Sequence, residues 1–302
     1  MQNSAVLPFG PNSDQSKIID EIKEGMKENG YLCSDTIANV LYLAEKLQKP
    51  VLVEGPAGVG KTELAKALSG MKKAELIRLQ CYEGLDEAKA LYEWNYKKQL
   101  LHIQAMQGKD LDWEKIEENI FDEDFLLSRP LLKAITSDKP TVLLIDEIDK
   151  VDLEFEALLL EILSDFQISI PELGTIKAKN PPFVILTSNN TRELTEALKR
   201  RCLFLFLDYP DMDRELEIVK LKVPELPEHL AKQIVRVVRL IRSMDIKKSP
   251  SISETLDWAR AIFYLGVDSL DRQTVETTLN VLLKYQGDME RVTQSLRSGL
   301  RV

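Results

Sequence analysis

The chain is poor in the residues that build extracellular scaffolds and metal centres. Its 302 residues include only three cysteines, Cys33, Cys81 and Cys202, and no Cys-x-x-Cys pair. This spacing argues against a disulfide framework or a thiolate zinc site and fits a reducing compartment. The two histidines, His102 and His229, stand apart and suggest neither a catalytic triad nor a metal cluster. No apolar run approaches the ~20 residues of a membrane-spanning helix. No basic stretch followed by a long apolar core opens the sequence, so no secretory signal is expected and the expected location is cytoplasmic. Positive charge is not in excess either. A net charge of −9 argues against a generally basic nucleic-acid binder, while local basic patches stay open.

What is present is the composition of a soluble globular protein, 44% hydrophobic and 29% charged, long enough for one large domain or two smaller ones. One stretch organises the rest: Gly55-Pro56-Ala57-Gly58-Val59-Gly60-Lys61-Thr62. It follows the apolar run Pro50-Val51-Leu52-Val53-Glu54 and leads through Glu63 into Leu64-Ala65-Lys66-Ala67-Leu68, which reads as helix. Strand, glycine-rich loop and helix in that order are the setting of a phosphate-binding loop. The glycines let successive N–H groups converge on one centre, and the positive end of the following helix adds to the field. The binding stretch is expected to run from Gly55 to Glu63, with Lys61 on the β- and γ-phosphates and the Thr62 hydroxyl on Mg²⁺. An ordinary glycine-rich turn is the bland alternative.

The second informative stretch is Thr141-Val142-Leu143-Leu144-Ile145-Asp146-Glu147-Ile148-Asp149. A continuous apolar run predicts a strand buried on both faces of a parallel sheet. It ends in carboxylates at the sheet edge where ligands bind. Asp146 is placed to hold Mg²⁺, directly or through water, and Glu147 to orient and deprotonate an attacking water. Asp149 and Lys150 are expected behind these groups or at the surface. A third buried strand, Phe183-Val184-Ile185-Leu186-Thr187-Ser188, ends in Asn189-Asn190. An amide there can stand beside a terminal phosphate, although asparagine is also a common turn residue.

The remaining chain supplies the frame. Residues 1–15 are expected to be extended or flexible, with helices over 16–28 and 34–48, a region that can border a base. A strand is predicted over 74–80, helices over 85–107, 112–119 and 153–165, and a hairpin over 167–178 around Pro171 and Gly174. A short helix over 193–199 ends in Lys199-Arg200-Arg201, and a last strand spans 202–207. Beyond about 212 only helices follow. Tyr92, Trp94 and Tyr96 read as part core, part half-exposed, with a grip on a polypeptide as the alternative. The acidic block 117–124 reads as a solvated segment, or alternatively as a docking surface. Arg236, Arg239 and Arg242, with Lys247 and Lys248 beyond, form a basic stripe at helical spacing, read as a solvated or interdomain face, with a nucleic-acid or phosphate contact as the alternative. The expected organisation is a flexible segment 1–15, an α/β nucleotide-binding core 16–210 and a helical lid domain 211–302.

These motifs, in this order, resemble the AAA+ ATPases and within them the MoxR-like branch. The likeness is carried by Val53 to Thr62, Leu144 to Lys150, Phe183 to Asn190 and Glu196 to Arg201, and spans most of residues 30–265. It implies a P-loop parallel sheet flanked by helices and followed by a small helical lid. It makes Lys61 and Thr62 the Walker A pair, Asp146 and Glu147 the Walker B pair and Asn189 sensor 1. Arg201, or failing it Arg200, becomes a finger offered to a neighbour's γ-phosphate, which implies a homo-oligomeric ring, usually a hexamer. ATP and Mg²⁺ are the implied ligands. Remodelling of a protein complex or metalloenzyme during assembly, with a von Willebrand factor A-domain protein as partner, is implied by analogy alone. One departure stands out. The lid turn reads Ser249-Pro250-Ser251-Ile252-Ser253, with no arginine after the proline where the branch commonly carries sensor 2, and Arg260 lies about two turns into the presumed helix. The rival readings are a DNA-directed motor or loader and a slow nucleotide-gated interaction protein. A small-molecule kinase lacks an identifiable acceptor pocket, and a GTPase lacks an Asn-Lys-x-Asp motif.

Overall fold

The computed structural model of the chain describes residues 13–106, 122–171 and 173–298. The strands among them are β1 (Val51–Glu54), β2 (Glu75–Gln80), β3 (Tyr92–Trp94), β4 (Leu126–Ser128), β5 (Thr141–Asp146), β6 (Gln167–Ile170), β7 (Gly174–Lys177), β8 (Phe183–Ser188) and β9 (Leu203–Phe206). Five of them form the central sheet in the order β2-β5-β8-β1-β9, each pair parallel. The fold is a P-loop parallel sheet flanked by helices, with a helical region after it.

Both faces of the three inner strands β5, β8 and β1 are covered, which is why these are apolar without alternation, whereas the edge strands β2 and β9 leave alternate residues exposed. The two-residue period of a strand then sorts each side chain to one face. Val51, Val53, Val142, Leu144 and Ile185 pack with Leu41, Leu64 and Leu68 under helices Ser13–Glu28, Asp35–Leu47 and Lys61–Lys72. Leu52, Leu143, Ile145, Val184 and Leu186 pack with Leu131, Leu159 and Leu198 under helices Pro130–Thr136, Leu153–Asp165 and Glu196–Arg201. Parallel order brings the C-terminal ends of β1, β5 and β8 to one edge.

The region after β2 differs from expectation. In place of one helix over 85–107 there is a short helix Glu87–Ala90, then β3, then a helix Tyr96–Met106. Asp86 caps the first helix through Lys89 N, and Asn95 Oδ1 accepts from Lys98 N at the start of the next. Between these caps, Tyr92 and Trp94 pair in antiparallel register with β4. Two caps so close together leave room for only a three-residue strand, and the apolar spacing alone did not reveal them. Trp94 is buried, Tyr92 half-buried and Tyr96 exposed. The first helix starts at Ser13, three residues before expectation. The expected helix 112–119 and most of the acidic block lie outside the described residues. The hairpin is present as β6 and β7.

After β9 the described residues are helical: Met212–Lys222, Glu228–Arg242, Ile252–Leu265, Arg272–Leu282 and Gln286–Arg297. They close their own apolar cluster, which includes Val235, Val238, Ile262, Val275 and Leu279 around Trp258. The Trp258 indole is buried and donates to Thr278 Oγ1 at 2.8 Å. Arg242 leaves the expected basic stripe. Its guanidinium turns inward and pairs in bidentate fashion with the buried Glu215 at 2.6 and 2.8 Å. Arg236 and Arg239 stay exposed.

Candidate nucleotide site

The site begins where β1 ends. Gly55 turns the chain at φ +152°, and a Cβ there would stand 1.9 Å from the Leu207 carbonyl oxygen, so only glycine lets the segment after β9 approach. Gly58 and Gly60 follow at φ +76° and +102°. These left-handed steps aim backbone N–H groups at one point. Helix Lys61–Lys72 starts there and adds its unpaired first-turn donors.

Lys61 is buried, and its Nζ donates to Gly55 O at 2.6 Å, Pro56 O at 2.8 Å and Asn189 Oδ1 at 2.8 Å. Burial pushes the pKa of this ammonium below its ordinary value, against the opposing pull of Asp149, Asp146 and Glu147. A triphosphate would return the charge that burial penalises. Asp146, at the end of β5, is buried and accepts hydrogen bonds on both oxygens. It accepts from Thr62 Oγ1 at 3.2 Å on each oxygen, from Thr187 Oγ1 at 2.5 Å and from Arg78 Nη2 at 2.6 Å. Glu147 takes a left-handed backbone at φ 60°, and its N–H donates to Thr187 Oγ1 at 2.9 Å. A non-glycine residue held there is strained, a condition that clusters at functional sites.

Asn189 reaches Lys61 because its own turn is clamped. Asp149 accepts from Asn189 N at 3.2 Å and from Thr191 N and Oγ1 at 3.0 and 2.5 Å. Burial alone would raise the Asp149 carboxyl, but these hydrogen bonds from Thr191 and Asn189 outweigh it and hold the pKa below the usual value. Gly58, Lys61, Thr62, Asp146, Glu147 and Asn189 thus border one cavity of about 220 Å³. Lys61 is the one cation among the residues lining it. A narrower, mostly apolar cavity of about 90 Å³ adjoins the loop, bordered by Tyr31, Leu32, Val59, Ile218 and Leu256. These lining residues were left unassigned by the sequence. Thr62 and Asp146 offer hard oxygens side by side, which fits Mg²⁺, an ion that keeps most of its waters.

The arginines of helix Glu196–Arg201 stand elsewhere. Arg201 Nε donates to Ser164 Oγ at 2.5 Å and Nη1 to Ala197 O at 3.0 Å, while Arg200 is exposed. Neither lines the phosphate cavity. Arg260 pairs with Asp257 at 3.1 Å and lines neither cavity. Sequence reasoning missed Arg78, Thr187 and the clamp made by Asp149. The available signal was a polar residue near the C-terminal end of a strand: Arg78 on the exposed face of the edge strand β2 and Thr187 inside the otherwise buried β8.

One family model matches the part of the chain that carries this site. The model of the AAA family, described as ATPase family associated with various cellular activities, matches residues 51–207. An uncharacterized protein of Staphylococcus haemolyticus is 25% identical over 285 residues, covering 92% of this chain and 99% of its own. An uncharacterized protein of Staphylococcus epidermidis is 28% identical over 228 residues, covering 73% of this chain and 78% of its own. Among solved structures, the RuvB Holliday junction branch migration motor of Thermotoga maritima is similar at a TM-score of 0.45 and 19% identity, over 86% of this chain and 69% of that one.

Proposed function

The chain belongs to the AAA family of ATPases, and on that premise we propose that it binds and hydrolyses ATP with Mg²⁺ to remodel a protein partner, as MoxR-like members do. One observation carries this reading: Lys61, Thr62, Asp146, Glu147 and Asn189 converge on one cavity from three separate strand ends. In this reading residues 16–210 form the core and 211–302 the lid. The loop amides and Lys61 bind the β- and γ-phosphates. Thr62 and Asp146 would hold Mg²⁺, which would supply charge neutralisation at the phosphoryl oxygens. Glu147 orients the attacking water and accepts its proton, and Asn189 aligns that water against the terminal phosphate.

Lys61 is the one cationic side chain lining the cavity, so charge developing beyond what Lys61 and Mg²⁺ would offset calls for a further cation. Arg201 of a neighbouring copy, with Arg200 as the alternative, completes the site in a ring, and a hexamer is the proposed size. The MoxR assignment is supported by the sequence stretches, the insertion after β2 and the β6–β7 hairpin before β8. Action as a cytoplasmic chaperone on a von Willebrand factor A-domain protein or a metalloenzyme rests on that resemblance. A DNA-directed role loses part of its support with Arg242 buried against Glu215. The test compares Glu147→Gln with Lys61→Ala. Glu147→Gln is expected to keep ATP binding and lose turnover by roughly 10²–10⁴-fold. Lys61→Ala is expected to lose binding. Normal turnover in Glu147→Gln would defeat the reading.

A further inference from the structure

The turn that opens helix Ile252–Leu265 meets the phosphate loop directly. Ser253 N donates to Gly58 O at 3.3 Å, and Ser253 Oγ lies 3.5 Å from the same oxygen. From the other side, a Cβ on Gly58 would stand 2.3 Å from Ser251 Oγ and 2.5 Å from Ser251 Cβ. The turn is fixed from behind. Arg242 Nε donates to Pro250 O at 2.7 Å, and Ser251 and Glu254 close a reciprocal capping box.

The two serines have different freedom. The Ser251 hydroxyl is buried and accepts from Glu254 N at 3.4 Å. Ser253 is exposed, and among the described residues its hydroxyl makes only the long Gly58 contact. Ser253 also lines both the phosphate cavity and the adjoining apolar cavity, so it stands where the two meet. The nearby lid cations are taken. Arg242 is held by Glu215, Lys222 by Glu63 at 3.3 Å, Lys248 by Glu254 at 3.4 Å and Arg260 by Asp257.

We infer that the lid grips the bound polyphosphate through a neutral donor, the Ser253 hydroxyl, and so holds nucleotide without sensing the charge of its terminal phosphate. The inference rests on the ATP-binding reading above. A guanidinium at this turn would attract each added negative charge over several ångströms, whereas a hydroxyl donates one short-range hydrogen bond. Discrimination between ATP and ADP then falls to Lys61, Asn189, the metal and the neighbouring chain.

The test is direct binding of fluorescent ATP and ADP to the full chain with Mg²⁺, at low and moderate salt. Ser253→Ala keeps the backbone contact to Gly58 and removes only the hydroxyl. It is expected to weaken ATP and ADP by the same factor, about tenfold, and Ser253→Thr to restore both. Ser253→Arg is expected to raise the preference for ATP over ADP and to make binding more sensitive to salt. Unchanged affinities in Ser253→Ala would overturn the inference. So would a loss confined to ATP, because the hydroxyl would then be reading the terminal phosphate. Wild-type chain that binds neither nucleotide would overturn the nucleotide reading and this inference with it.

Discussion

Asp149 acts through backbone rather than through contact with a ligand. Its carboxylate ties Asn189 N and Thr191 N to the end of β5, and so fixes where the Asn189 amide meets Lys61. Because its folded pKa lies below the ordinary 3.8, the folded state favours the ionised form. That stability is fully present above the unfolded value and is lost as pH falls through the folded one. Asp149→Asn is expected to lower stability at pH 7 by about 2 kcal/mol, the scale of a hydrogen bond to a charged group. The gap to wild type should narrow as the pH drops below 3.8, in urea titrations at pH 7 and pH 3. An equal gap at both values would show that the charge is not responsible. The sequence marked Lys61, Thr62, Asp146, Glu147 and Asn189 because each sits at a fixed offset from a glycine loop or a strand end. It left Asp149 undecided because its partners lie some 40 residues away along the chain. Arg78 went unnoticed for the same reason: only the β2–β5 register brings it to Asp146.

At the scale of elements, the buried strands and the glycine loop were legible because burial on both faces leaves a continuous apolar signature. The β3 strand was not, since two nearby side-chain caps decided it. The packing of the lid turn on the loop was equally hidden, although it depends on one glycine. Gly58→Ala meets Ser251 and forces a side chain into the left-handed region, at a cost of about 1–2 kcal/mol from the backbone alone. It is expected to weaken ATP binding at least tenfold. Adding Ser251→Gly removes the atoms in conflict and should recover part of that loss, since glycine is tolerated as a helix cap. Behind the turn, Arg242 and Glu215 form a buried pair. Removing one partner is expected to cost about 3–5 kcal/mol, while replacing both with apolar side chains is expected to cost far less. Urea midpoints of Arg242→Met alone and with Glu215→Leu measure the difference. Equal losses would mean that Pro250 O and Thr255, which Arg242 also contacts, carry the effect.

At the scale of the whole molecule, the proposed ring would set the arginine helix of one copy against the phosphate cavity of the next. Helix Glu196–Arg201 is bolted to helix Leu153–Asp165 twice, through Thr195 on the buried Glu156 and through Arg201 on Ser164. A helix held at both ends presents Arg200 and Arg201 at a fixed place, outside their own chain's phosphate cavity. Beside them β9 is an edge strand with Phe204 59% and Phe206 54% exposed, an apolar edge that a second copy would remove from water. If Arg201 completes a neighbour's site, turnover per subunit must rise with protein concentration and then level off. Arg201→Ala should bind ATP normally yet hydrolyse it roughly 10³–10⁵-fold more slowly, the range of a trans-acting arginine. Lys61→Ala should fail for the opposite reason, by losing nucleotide. Mixed together, the two inactive chains create sites in which an intact loop from one faces an intact arginine from the other, so activity should return. No recovery on mixing, with turnover flat across concentration, would mean that each chain hydrolyses alone and that Arg201 serves only to hold its helix.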